Sequence, residues 1–254
     1  MNQKSQTNVI ILGSGRSGTS MVAGTLAKAG YFMGDNLYPA RESNLKGFFE
    51  DREINGINEL ILSRKDFSNL SFFYKLFKFF FKAGWLERIP LDVSFSATPT
   101  IIDRIKRVTL RTPFCFKDPR FSYTLSVWRP YLHDTIFICV FRDPASTAKS
   151  MIKECSDVKR LRNIKINFPI ALEIWTLMYQ HILEIHRCEG KWLFLHFNQV
   201  LTKEGLDRIE DFIGAAVDRS FPELCLRHSF SELPVPHNVR NIYQKLCKLA
   251  EYED

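Results

Sequence analysis

The stretch from Asn8 to Gly30, NVIILGSGRSGTSMVAGTLAKAG, decides the fold. Its first part, Val9 to Leu12, is a run of four apolar residues, which is typical of a strand buried in a parallel sheet. A glycine-rich turn follows, and a helix is predicted from about Ser17 to Lys28. A strand, a glycine-rich turn and a helix in this order favour an α/β protein whose ligand site lies beyond the carboxyl end of the strand.

The turn has the composition of an anion-binding site. Gly13, Gly15 and Gly18 allow the backbone to curl and to point successive N–H groups inward. Hydroxyl donors stand at the start of the predicted helix, at Ser17, Thr19 and Ser20. Because a helix N-terminus carries partial positive charge, we predict a site for a phosphate or sulfate group here.

The turn departs at one position from the loop that binds nucleoside triphosphates, G-x-x-x-x-G-K-[ST]. Gly13, Gly18 and Ser20 fit that pattern, but Thr19 stands where the lysine would be. The cation of this turn is Arg16, three residues earlier. The pattern therefore argues against triphosphate chemistry.

The run Arg16-Ser17-Gly18-Thr19-Ser20 resembles the first loop of the sulfotransferases that use 3′-phosphoadenosine 5′-phosphosulfate (PAPS), which reads basic-Ser-Gly-Thr-Ser/Thr. The resemblance implies that the loop binds this cosubstrate through Gly15, Arg16, Ser17, Gly18, Thr19 and Ser20. The alternative is a glycine-rich turn between a strand and a helix that binds no ligand.

A second match to the same family follows the predicted strand Thr135 to Phe141. Arg142 ends this strand, and Ser150 comes eight residues later on the next predicted helix. The resemblance implies that both bind the 3′-phosphate that distinguishes PAPS from ATP. An arginine fork and a hydroxyl two helical turns along can face one phosphate group. The alternative for Arg142 is a surface arginine after a strand.

A third match is the segment Lys117-Asp118-Pro119-Arg120, which follows the short predicted strand at Phe114 to Phe116. It resembles the Lys-x-Pro segment of carbohydrate-type sulfotransferases. The resemblance implies that Lys117 contacts the sulfuryl group or the acceptor. A lysine that caps a strand end in solvent is the alternative, at near-equal weight.

Sulfuryl transfer builds negative charge on the leaving oxygen, so cations and N–H donors must meet that oxygen. We expect Arg16 and its loop to do so. The acceptor hydroxyl also needs a general base. No histidine follows the middle strand in the expected motif, so the loop from Lys46 to Asp51 is preferred, with Glu50 as the base and Asp51 and Glu42 behind it. The alternative is that Glu50 or Asp51 only caps the next helix.

Length and composition agree with a single domain. The chain has 254 residues, 45% of them hydrophobic, and we expect one domain over 1–254 with a helical acceptor-binding or lid insertion at about 35–112. The net charge of +7 predicts affinity for anions. Nucleic acid is not expected, because no basic-aromatic recognition motif is present. Neither histidine nor cysteine spacing predicts a metal site.

The order of the elements predicts the fold. Strands near Val9, Phe114, Ile136 and Leu193, and a further strand considered at Tyr31, alternate with helices. This order favours a three-layer α/β architecture with a mostly parallel sheet of four or five strands and helices on both faces. The resemblance implies the P-loop NTPase-like sulfotransferase fold.

The segment from residue 68 to 85 is rich in phenylalanine and lysine. Lys75, Lys78 and Lys82 share one helical face. An ordinary helix packed on the core is the favoured interpretation; a lid, or a peripheral membrane contact through residues 72–82, is the other. The polar N-terminus leaves no room for a signal peptide, and no apolar run reaches the ~18 residues of a membrane span. We expect a soluble, cytoplasmic protein.

The sequence therefore predicts a sulfotransferase that uses PAPS and no metal, with a hydroxyl acceptor on a carbohydrate, lipid or small metabolite. A P-loop kinase of small molecules is the second hypothesis, and Thr19 argues against it. A nucleotide-binding module without catalysis is the third, favoured by the net charge alone.

Overall fold

The computed structural model describes residues 6–41, 44–66, 84–159, 161–223 and 231–253. Its strands are β1 (Asn8–Leu12), β2 (Lys65–Asp66), β3 (Ser94–Phe95), β4 (Cys115–Lys117), β5 (Thr135–Phe141) and β6 (Lys191–His196). Its α-helices are α1 (Thr19–Ala27), α2 (Arg52–Ser63), α3 (Pro99–Thr109), α4 (Phe121–Trp128), α5 (Pro144–Asp157), α6 (Phe168–Gln180), α7 (Lys203–Ile213) and α8 (His237–Ala250).

The main sheet is parallel throughout and has the strand order β4-β1-β5-β6. The fifth strand considered at Tyr31 does not form within the described residues 6–41. Instead, Phe32 makes a single parallel bridge to Phe114 at the sheet edge. Gly30 and Gly34 flank this bridge with positive φ, at 88° and 122°, so the chain leaves the extended conformation on both sides of it.

The two faces of the sheet carry separate cores. In β1, Ile10 and Leu12 point to one core and Val9 and Ile11 to the other, and all four are fully buried. Burial of one such side chain contributes about 1.5–3 kcal/mol. The first core is completed by α2 to α6 and α8, and the second by α1 and α7. The predicted three-layer α/β architecture with a mostly parallel sheet is confirmed.

Between residues 35 and 112, where the sequence predicts an acceptor-binding or lid insertion, the structure has helix α2, helix α3 and the small antiparallel pair β2-β3. Helix α2 begins after Asp51, whose carboxylate accepts hydrogen bonds from the backbone N–H groups of Glu53 and Ile54. Arg104 of α3 holds the Glu53 carboxylate with two hydrogen bonds of 2.8 Å. The aromatic segment of residues 72–82 lies outside the described residues.

Helix α6 changes character at its end. The α-helix stops at Gln180 and continues as a π-helical stretch from His181 to His186. The last helix, α8, starts at His237. Among the described residues, no helix is both long and apolar enough to cross a membrane.

The strand register brings three loops to one edge of the sheet. Ile11 lies beside Lys117 at the end of β4, and Leu12 lies beside Cys139 of β5. The residues that follow β1, β4 and β5 therefore meet beyond the carboxyl ends of the strands, as predicted. In parallel α/β sheets this edge is where ligands bind.

Candidate active site

A cleft of about 220 Å³ opens at this edge of the sheet. It collects residues from the glycine-rich loop, the ends of β4 and β5, helix α5 and the segment before α2. The predicted site residues that line it are Gly15, Arg16, Gly18, Thr19, Ser20, Glu50, Lys117, Arg142 and Ser150. The structure thus brings nearly all of the predicted site into one cavity.

The loop after β1 has a backbone that only glycine fits at two points. Gly13 has φ 140°, and a Cβ there would lie 2.1 Å from the carbonyl oxygen of Val140. Gly18 has φ 94°, and a Cβ there would lie 2.5 Å from the ring of Phe197. Arg16 adopts φ 71° although it has a side chain, a conformation that costs about 1–2 kcal/mol. The packed surroundings therefore hold the loop in one strained shape.

A buried tyrosine supports the loop from below. The Tyr179 hydroxyl accepts a hydrogen bond from the backbone N–H of Ser14 at 3.2 Å. It also lies 3.0 Å from Ser17 Oγ and 2.8 Å from the carbonyl oxygen of Val140. Burial, reinforced by Cys139, raises the pKa of Tyr179 well above its usual value, so the hydroxyl keeps its proton.

Ser17 is the predicted loop residue whose side chain does not line the cleft. It is fully buried, and its Oγ lies 2.8 Å from Ser14 Oγ and 3.0 Å from the Tyr179 hydroxyl. The sequence does not distinguish Tyr179 as a functional residue, because one tyrosine among the apolar residues of a long helix is expected to belong to the core. Its hydroxyl is the signal that could have drawn attention to it.

Lys117 brings a cation to the start of helix α1. Its Nζ donates a hydrogen bond to Ser20 Oγ at 3.2 Å and forms an ion pair with Glu50 Oε1. The side chain is 1% exposed, so Lys117 is not a solvated strand end. The loop, which has Thr19 in the usual lysine position, thus receives its cation from the neighbouring strand β4.

Of the three carboxylates considered as the base, Glu50 and Asp51 are described and lie in different surroundings. Glu50 lines the cleft, and its Oε2 accepts a hydrogen bond from Asn55 Nδ2 at 3.0 Å. Asp51 is buried, caps helix α2 and accepts a hydrogen bond of 2.7 Å from the Asn36 backbone. Its carboxylate is committed to backbone donors, which bears out the capping alternative for Asp51. Glu42 lies outside the described residues.

A buried polar network extends from Lys117 along the chain. Asp118 is fully buried and accepts hydrogen bonds from Asn58 Nδ2 at 2.9 Å and from Arg120 Nη1 at 3.0 Å. Burial opposes the charge of Arg120, but the carboxylates of Asp118 and Glu59 raise its pKa overall. Arg120 therefore stays charged where it lines the cleft. Sequence reasoning used only the lysine of this segment and missed Arg120.

A second group of charges lies at the end of β5. Arg142 is buried, with Cζ 4.8 Å from the centre of the Phe197 ring. Ser150 Oγ accepts a hydrogen bond from Arg16 Nε at 3.1 Å, and Arg16 Nη1 lies 3.3 Å from Glu154 Oε2. The Arg16 side chain thus lies with Ser150 on helix α5. Glu154, which sequence reasoning did not mention, also lines the cleft.

The opposite wall of the cleft combines aromatic, apolar and basic side chains. Leu45 is 63% exposed at the rim, and Lys46 forms an ion pair of 2.5 Å with Glu223. Lys46 Nζ also lies 4.6 Å from the centre of the Phe221 ring. Tyr38, Phe48 and Phe221 also line the cavity, whereas Trp85 and Phe197 line it from beside the loop, at Gly15 and Gly18. This wall can cover the apolar parts of a bound molecule.

Metal ligands are not grouped in the part of the chain that the structure describes. There, no three or more His, Cys, Asp or Glu side chains are placed to hold a metal ion together. The basic side chains that line the described cleft are Arg16, Arg41, Lys46, Lys117, Arg120 and Arg142.

Comparisons with known proteins identify the fold. No model of a protein family and no curated protein matches the sequence. Among solved structures, the sulfotransferase domain of the olefin synthase from Synechococcus PCC 7002 is similar, with TM-score 0.55, 17% identity, and coverage of 100% of this chain and 98% of that one. The sulfotransferase domain from the curacin biosynthetic pathway is also similar, with TM-score 0.53, 14% identity and 99% coverage of both chains.

Identities this low establish the architecture and not the activity. The sulfotransferase fold that the resemblance implies is confirmed at that level. The chain therefore has the fold of sulfotransferase domains.

Proposed function

We propose that this protein is a sulfotransferase that uses PAPS as the sulfuryl donor. The acceptor is proposed to be a hydroxyl group of a carbohydrate, a lipid or a small metabolite. The observation that carries the proposal is the convergence of Arg16, Lys117 and Arg142 on one cleft at the N-terminus of helix α1. Three cations from three elements suit a ligand with two separate anionic groups, as PAPS has.

The residues fit such a ligand in two parts. The phosphosulfate end is proposed to bind the backbone and hydroxyls of Gly15 to Ser20 beside Lys117, with Ser17 holding the loop from beneath. Arg142 and Ser150 are proposed to bind the 3′-phosphate. Arg16 extends from the loop to Ser150, so its guanidinium can serve both parts.

The proposed reaction forms one bond and breaks one. The acceptor oxygen attacks the sulfur of PAPS, and the bond from sulfur to the 5′-phosphate oxygen breaks, so that adenosine 3′,5′-bisphosphate leaves. Lys117 and Ser20 stabilise the negative charge on the leaving oxygen, together with Arg16. Glu50 accepts the proton of the acceptor hydroxyl. Because Lys117 contacts both Ser20 and Glu50, it links the donor end of the cleft to the base.

The binding part of the proposal is tested with Arg142→Ala. We expect affinity for adenosine 3′,5′-bisphosphate to fall about 30-fold, since a buried charge-assisted contact is worth about 2 kcal/mol or more. Affinity for 5′-AMP, which lacks the 3′-phosphate, should change less than about threefold. Lys149→Ala removes an exposed cation from the same helix as Ser150 and is the control. Equal losses for both nucleotides would show that Arg142 does not recognise the 3′-phosphate.

The catalytic part is tested with Glu50→Gln in a screen of hydroxyl acceptors with PAPS. Loss of a general base lowers turnover by about 10²–10⁴-fold. The amide keeps the size of the side chain, so affinity for the bisphosphate should stay within about threefold. A variant that turns over normally would remove Glu50 from the mechanism.

A further inference from the structure

A carboxylate lies in the corner of the cleft proposed for the 3′-phosphate. Glu154 follows Ser150 by one turn of helix α5, and both side chains are buried. Glu154 Oε2 lies 3.3 Å from Arg16 Nη1, while Arg16 Nε donates to Ser150. Arg142 lines the same cleft. The corner that would receive an anion therefore already contains one.

Glu154 neutralises Arg16 in the structure without ligand. The Arg16 side chain is only 23% exposed, so the Glu154 carboxylate supplies a counter-charge that offsets part of the hydration lost by the guanidinium. The carboxylate thus stabilises the free protein. It does so by occupying the same guanidinium that an incoming phosphate would use.

The charge balance changes sign when a phosphate enters this corner. A phosphate monoester carries a charge of about −1.5 to −2 at neutral pH. Arg16 and Arg142 together supply two positive charges, which suffice for the phosphate alone. With the Glu154 carboxylate also counted, the phosphate and these described side chains together carry excess negative charge, and two anions that share one corner repel each other.

We propose that Glu154 is a specificity-determining residue that weakens binding of the nucleotide 3′-phosphate and so speeds release of the bisphosphate product. This inference rests on the proposed function. Both contributions have the same sign: Glu154 stabilises the free state through Arg16 and destabilises the bound state by repulsion. Discrimination by a repulsive group is a general means of tuning affinity, and product release limits turnover in many enzymes.

The test compares adenosine 3′,5′-bisphosphate with 5′-AMP by calorimetric titration of wild type and Glu154→Gln. We expect the variant to bind the bisphosphate at least tenfold more tightly, which is about 1.4 kcal/mol. Affinity for 5′-AMP, which lacks the phosphate that Glu154 would repel, should increase clearly less than affinity for the bisphosphate. Asp157→Asn removes an exposed carboxylate from the same helix and should change neither affinity.

A second variant and a melting-temperature measurement keep the test valid if Glu154→Gln folds poorly. Glu154→Ala should tighten bisphosphate binding in the same direction, and both variants should show a larger rise in melting temperature on adding bisphosphate than wild type does. Equal or weaker binding of bisphosphate by the variants, with wild type still preferring it to 5′-AMP, would overturn the role of Glu154 alone. If neither wild type nor variants distinguished the two nucleotides, the proposed 3′-phosphate site and this inference would both fail.

Discussion

Removing the charge of Lys117 should destabilise the protein through the partner it leaves behind. Lys117→Met keeps the length of the side chain but deletes the ammonium, which is 1% exposed and paired with Glu50. Breaking a buried ion pair by removing one partner costs about 3–5 kcal/mol, because the other charge stays buried. The Glu50 side chain is 16% exposed and keeps its hydrogen bond from Asn55, so we expect the lower end, about 3 kcal/mol.

A second substitution tests this reasoning. Glu50→Gln in the Lys117→Met background removes the stranded charge and should recover about 2 kcal/mol. The assay is urea unfolding at pH 7 of wild type, both single variants and the double variant. Lys203→Met breaks an exposed pair with Asp207 and should change the free energy of unfolding much less.

Either of two results would contradict a buried, stabilising ion pair between Lys117 and Glu50. Lys117→Met could lower the free energy of unfolding by less than about 1 kcal/mol, which would mean that the pair is not effectively buried. Alternatively, the double variant could lose the sum of the two single losses, which would mean that Lys117 and Glu50 do not interact.

Two further substitutions probe the support of the loop, and a third probes the pH dependence of stability. Tyr179→Phe leaves two buried backbone groups without the hydroxyl and should cost about 2–4 kcal/mol in urea unfolding; a loss below about 0.5 kcal/mol would contradict its supporting role. Gly18→Ala drives a methyl group into the Phe197 ring and should weaken bisphosphate binding at least tenfold, whereas Gly214→Ala has a positive φ but open space and should leave binding unchanged. Burial, with His181 and Arg129 nearby, lowers the pKa of His186 from 6.5 to about 3, so stability present above pH 6.5 is lost as pH falls towards 3, by about 1.4 kcal/mol per pH unit. His186→Gln should flatten this slope, and an unchanged slope would show that His186 does not bind the proton.

The sequence was enough to predict the framework of the cleft. The buried strand before Gly13, the helix after it and the strand before Arg142 are local patterns, and the parallel order of the strands follows from their alternation with helices. The position of Lys117 at the same edge follows as well. These features depend on neighbours in the chain, which is why they could be predicted.

The contacts that complete the site come from distant parts of the chain. Tyr179 and Ser14 are 165 residues apart in the sequence, and no sequence pattern predicts the hydrogen bond between them. The sequence also does not show which of Glu50 and Asp51 caps the helix and which is left to act as a base, since the two carboxylates are adjacent and both precede a helix. The structure separates them because Asp51 faces the amides of α2, while Phe49 turns the backbone with φ 52° directly before Glu50.

The structure also shows contacts between charged side chains that the sequence does not predict. The sequence predicts that Arg16 meets the leaving oxygen, and the structure adds that its side chain contacts Ser150 and Glu154. Glu154 lies one helical turn beyond the last residue of the recognised pattern, so nothing local marked it. A side chain of this length can serve either end of the cleft, and only packing decides which.

We propose that the cleft holds a 3′-phosphorylated adenosine nucleotide and not a nucleoside triphosphate with its metal ion. The most direct measurement is a titration of the wild-type protein with adenosine 3′,5′-bisphosphate and with ATP, each with and without Mg²⁺. We predict tighter binding of the bisphosphate, independent of Mg²⁺, since Arg142, Ser150 and Lys117 are proposed to bind its phosphate groups directly. Tighter binding of ATP that requires Mg²⁺ would contradict the account and favour a kinase.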